Sequence, residues 1–155
     1  MAKDMLAVHT DLTEMRWWSM VPYKFNHNQA VKYSIRPCRS NDLNYGQGNS
    51  ADFLGERLRQ TAISAPLCFE FLVQIQTDSK TMPIEDPAID WDDTFAPFQP
   101  LALMSFPVQD IEDEKHQATC GKLRFQPGQA LPAHRPLGEI NRTRRAIYGE
   151  LKQQN

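Results

Sequence analysis

The chain has 155 residues, 41% of them hydrophobic and 23% charged, with a formal net charge of -2. This is the range of one ordinary globular domain with enough apolar material for a core, and the weakly acidic balance supplies no basic field for nucleic acid. No apolar run reaches the ~20 residues of a membrane-spanning helix. Met1-Ala2-Lys3-Asp4 also lacks the basic-then-apolar pattern of a secretory signal, so a soluble cytoplasmic protein without membrane contact is expected.

Gln29 to Arg36 alternates, with Ala30, Lys32, Ser34 and Arg36 on one face and Val31, Tyr33 and Ile35 on the other, which predicts a half-buried strand ended by Pro37. Ser50 is placed to cap a helix in which Phe53, Leu54, Leu58, Ala62 and Ile63 recur at helical spacing until Pro66. Phe69 to Gln76 reads as a second strand, with Phe69, Phe71, Val73 and Ile75 forming an apolar face. From Thr77 to Pro100 the chain carries four prolines, with Trp91 among the acids Glu85, Asp86, Asp90, Asp92 and Asp93, a pattern of a long wrapping loop lying on a larger body. Leu101 to Phe106 predicts a third strand, Val108 to Thr119 a short acidic helix opened by Pro107, and Lys122 to Phe125 a fourth strand. Ile140, Arg144, Ile147, Tyr148 and Leu151 define a closing helix over Gly138 to Lys152. Four short strands cannot hide one face and two edges unaided, so a second copy, another chain or a further segment is needed to close the sheet.

Cys38, Cys68 and Cys120 are odd in number, widely spaced and without a C-x-x-C pair, so reduced thiols are expected rather than a disulfide framework or a zinc site. The four histidines show no metal-ligand spacing, and Glu85 to Asp93 reads as a proline-broken solvated run. Asn141-Arg142-Thr143 matches a glycosylation sequon, to which a cytoplasmic helix assigns no meaning.

Arg144 and Tyr148 stand four residues apart, so guanidinium and phenol share one helix face. A free phenol titrates near ~10, but a fixed cation and a ferric ion both favour the phenolate. The structural alternative is a surface helix with a basic face and a packed tyrosine.

Several segments occur in a telling order: Arg16-Trp17-Trp18-Ser19-Met20-Val21-Pro22-Tyr23-Lys24-Phe25, Ala30 to Pro37, Phe71 to Asp78, Met82 to Pro87 with Trp91, and His134-Arg135-Pro136-Leu137-Gly138-Glu139-Ile140-Asn141-Arg142 leading into Arg144 and Tyr148. Together, from about Leu12 to Leu151, they resemble the second half of the small catalase-related haem proteins. The resemblance implies an α+β fold, half of a catalase-type antiparallel β-barrel of four strands with a wrapping loop and flanking helices, making residues 1–155 a single partial domain. It implies haem b, with Tyr148 as axial iron ligand, Arg144 hydrogen-bonding the phenol oxygen, and Phe125 (of the F-x-P segment) and Ile140 against the porphyrin. Hydrogen peroxide or an organic hydroperoxide would be the substrate, and a homo-oligomer or complementing chain would close the sheet.

The distal histidine and asparagine of that family lie outside the matching region. No arginine follows the tyrosine by two turns, leaving Lys152 as the nearest cation for a propionate, while Gly128 and Glu139 replace a tryptophan and a glycine of the relatives. A non-catalytic relic or partner-binding subunit without functional haem is therefore the alternative expectation.

Overall fold

The computed structural model describes residues 11–38 and 50–153, the side chains of the last three aside. The strands are β1 (Trp17–Trp18), β2 (Tyr23–Phe25), β3 (Gln29–Pro37), β4 (Leu67–Ile75) and β5 (Gln99–Phe106), and the helices are α1 (Phe53–Ser64), α2 (Glu114–Cys120) and α3 (Gly138–Gln153). Among the described residues the strands form one five-stranded antiparallel sheet, ordered β1-β3-β4-β5 with β2 also on β3 and not closed into a barrel. Two strands are therefore added to the expected set and one is removed. Lys122 to Phe125 is exposed, non-strand chain, because the five residues between Gly121 and Pro127 find no partner edge among the described residues. None of the helices described is long and apolar enough to cross a membrane.

The chain divides into two compact units, residues 17–35, 71–102 and 123–155 forming one and the remainder the other. In the latter, α1 ends as expected before Pro66, and its Arg57, Thr61 and Ala62 are buried. Asp52, not Ser50, is the N-cap residue; Ser50 stands just before it, accepting from the Asp52 amide and donating to Glu56. Ala62 accepts from the Gln109 amide, and Arg59 reaches Asp110 and Glu112. The short helix α2 begins later than expected, at Glu114, because Asp113 accepts from the amides of Lys115 and His116 and so sets the cap.

The thiol expectation is overturned in the same unit: Cys38 and Cys68 are disulfide-bonded, with Cα atoms 5.5 Å apart. Strand pairing accounts for it. The Cys38 amide donates to the Cys68 carbonyl at 3.1 Å, so antiparallel registration of two strand ends brings together cysteines that lie 30 residues apart in sequence. Cys120 is free and exposed.

The other unit is built on a hairpin. Asn26, at φ 57, turns β2 into β3 with Phe25 opposite Gln29, the left-handed conformation that asparagine tolerates well. Residues 135–137 run beside β2, through the Lys24 amide to Arg135 and the Leu137 amide to Pro22. The wrapping loop supplies much of the core: Met82, Trp91 and Ala96 pack with Ala30, flanked by Ile84 and Leu137. Burying a side chain as large as Met or Trp stabilises by roughly 1.5–3 kcal/mol. Gln74, 1% exposed, donates to the carbonyls of Trp91 and Ala96, both at 2.9 Å, and so satisfies loop groups that would otherwise be buried unpaired. Lys32 and Ser34 are buried rather than solvated, and the Lys32 ammonium lies 5.0 Å from the centre of the Trp91 ring. Burial pushes the Lys32 amine below its usual range, with the charge of Asp90 opposing the shift.

Candidate functional site

Helix α3 carries most of the candidate residues, and three contacts fix its first turn. Gly138 adopts φ +82, where an added Cβ would fall 2.6 Å from the Ile84 carbonyl oxygen, so glycine is required by both conformation and space. Glu85 accepts from the Glu139 amide at 2.8 Å and from both terminal nitrogens of Arg142, at 3.1 and 2.9 Å. The Arg142 hydrogen bonds come first in holding the Glu85 carboxyl below the usual carboxylate range. Asn141 is fully buried and donates to the carbonyls of Pro22 and Leu137. This anchorage determines which way the next turn of the helix faces.

Arg144 and Tyr148 follow on that turn. Both line an open hollow of about 260 Å³ together with Phe125, Gln126, Pro127 and Gln129. Phe125 is 79% exposed and Tyr148 39% exposed. Three of the four candidate residues thus meet around one hollow, although Phe125 and Tyr148 lie on separate segments of the chain. Among the described residues, Arg144 donates to the Asn141 side-chain oxygen at 3.3 Å and not to the phenol expected to receive it. Arg145 packs over Gly128, where a Cβ would meet its side chain at 3.3 Å. The side chain of Lys152 lies outside the described residues.

Ile140 lines a different hollow, of about 410 Å³, with Trp18, Met20, Val21 and Tyr23 among its walls, and Arg144 is common to both. The sequence reading named none of residues 18–23 as functional. The available signal was a run of tryptophan, methionine and valine too short to be a regular element that must nevertheless be covered or used. A third depression, about 600 Å³, lies in the wrapping loop against Met82 and Phe95. Among the described residues no group of three or more His, Cys, Asp or Glu side chains is placed to hold a metal ion.

A phenolate oxygen is a hard anionic donor suited to ferric iron, and the uncovered Phe125 ring beside it suits a flat apolar macrocycle. At about 260 Å³ the hollow at Tyr148 is smaller than the ~300–1,000 Å³ usual for enclosed small-molecule sites.

No family model matches the sequence, and no curated protein matches it. Among solved structures, a fungal catalase superposes with a TM-score of 0.71 at 13% sequence identity, over 92% of this chain and 31% of that one. The chain therefore spans less than a third of that catalase's length. At this identity the likeness is one of fold, and the α+β chain with its open antiparallel sheet has a catalase-like fold.

Proposed function

We propose that this chain supplies the proximal wall of a catalase-type haem site for hydrogen peroxide or an organic hydroperoxide, completed when a second chain or further segment covers the open sheet. The observation that carries the reading is the convergence of Tyr148, Arg144 and Phe125 on one hollow of a catalase-like fold. Tyr148 would bind the iron through its phenolate oxygen and Phe125 would lie against the ring, whereas Ile140 lines the neighbouring hollow and is not part of this wall. Arg144, always charged and held in position by Asn141, would stand on the same wall as the iron ligand. Haem, when bound, would supply the iron that meets the peroxide. The substrate side requires a proton-transferring group opposite Tyr148, which the completing partner would contribute.

The test is the absorption spectrum of the full chain after haem addition. A ferric tyrosinate spectrum that disappears in Tyr148→Phe supports the proposal; identical spectra from the two proteins overturn it. A second reading, a non-catalytic scaffold that binds a partner, is favoured by the Arg144 hydrogen bond running to Asn141 instead of the phenol. Under that reading added haem stays unbound.

A further inference from the structure

The hollow beside Ile140 has a chemistry of its own. At about 410 Å³ it falls within the usual ~300–1,000 Å³ of small-molecule sites, whereas the hollow at Tyr148 does not. Its lining combines the buried Val21 with apolar surface left uncovered at its rim, Met20 being 73% and Ile140 42% exposed. Its one formally charged lining group is Arg144. Arg36, Arg59 and Arg142 each pair with a carboxylate, but the ion pairs among the described residues do not include Arg144, which donates to a neutral amide oxygen. A guanidinium keeps its charge at any ordinary pH, and its forked donors match the two oxygens of a carboxylate. An apolar cavity with a single unpaired cation at one wall is complementary to a molecule with a hydrocarbon body and one anionic head.

We propose that this cavity binds an organic monocarboxylate, its head on Arg144 and its hydrocarbon part against Trp18, Met20 and Ile140. Arg144 is shared with the hollow at Tyr148, but neither Tyr148 nor Phe125 lines this one, so the site does not rest on haem ligation. Each methylene taken into the cavity raises affinity about fourfold until the space is filled. The charge-assisted hydrogen bonds at Arg144 favour a carboxylate over the matching alcohol by roughly tenfold to a hundredfold.

The experiment titrates the full, haem-free chain with decanoate, decanol and decylammonium below their micelle concentrations, by calorimetry and tryptophan fluorescence, with Trp18→Phe assigning the optical signal. Saturable 1:1 binding of decanoate, about tenfold or more tighter than decanol and absent for decylammonium, is expected. Arg144→Gln should bring decanoate down to the decanol affinity. If that variant fails to fold, Met20→Asp provides a second measure: a negative charge at the rim should weaken decanoate several-fold more than decanol. Tyr148→Phe should bind decanoate within about twofold of the unsubstituted chain, even where it abolishes a haem spectrum, so the two proposals fail separately. Equal affinity for decanoate and decanol, or a preference that survives Arg144→Gln, overturns the inference. Loss of decanoate binding in Tyr148→Phe also overturns it, because it would merge this cavity with the hollow at the phenol.

Discussion

Opening the Cys38–Cys68 bond is the perturbation whose cost follows most directly from the chain path. The bond closes a loop across 30 residues of sequence. The entropy that such a loop withholds from the unfolded chain corresponds to about 3–4 kcal/mol at 25 °C. Against a total of ~5–15 kcal/mol for a domain, the loss is severe but survivable. Urea unfolding followed by far-ultraviolet circular dichroism, with and without dithiothreitol, measures it. At an m-value of ~1–3 kcal/mol/M the midpoint should fall by roughly 1–4 M, with a steeper transition because the reduced unfolded chain expands further. The double variant Cys38→Ser/Cys68→Ser should match the reduced protein and be indifferent to dithiothreitol. Mass tagging of the native oxidised protein should detect one thiol, that of Cys120. An unchanged midpoint on reduction, together with three taggable thiols, would refute the reasoning.

Other consequences concern the anchorage of α3 and the core beneath the loop. Gly138→Ala should cost at least about 2 kcal/mol in urea unfolding, since it combines a left-handed backbone with a Cβ set against the Ile84 carbonyl. Gln74→Leu should cost roughly 2–4 kcal/mol by leaving the carbonyls of Trp91 and Ala96 without donors, and native-state hydrogen exchange should quicken in the wrapping loop. Glu85, held ionised by Arg142, has a folded pKa below its unfolded one. Its contribution is therefore fully present above the ordinary glutamate pKa of about 4.3 and is lost as pH falls through the lowered folded value. Glu85→Gln should accordingly flatten the acid limb of the stability profile below about pH 4.3 while leaving its shape near neutrality unchanged, as read from thermal midpoints across pH.

Periodicity made the longer elements legible. β3, β4, β5, α1 and α3 each repeat for enough residues to declare their period, and proline marks the boundaries after β3 and α1. β1 and β2, of two and three residues, are too short to do so and exist only because β3 offers them an edge. Alternation also misled at Lys32, whose amine suggested a wet face that Trp91 covers. The disulfide depends on which strand pairs with which, and cysteine spacing carries no trace of that. At the candidate site, helical spacing was enough to put Arg144 and Tyr148 on one face. Phe125 was tied to them only through the resemblance of the F-x-P segment, and the diversion of Arg144 toward Asn141 is a tertiary detail set by the buried amide.

The burial of Asn141 bears on how the protein is made. Its amide nitrogen donates to two carbonyls and has no exposed surface, yet it begins an Asn-Arg-Thr sequon. In a host that attaches sugars to the emerging chain, oligosaccharide transfer would compete with docking of the final helix, and a modified molecule could not seat that amide. Secreted material should therefore separate into an unmodified folded fraction and a sugar-bearing fraction that aggregates. Recovering a monodisperse protein that carries a glycan at this position would contradict the geometry.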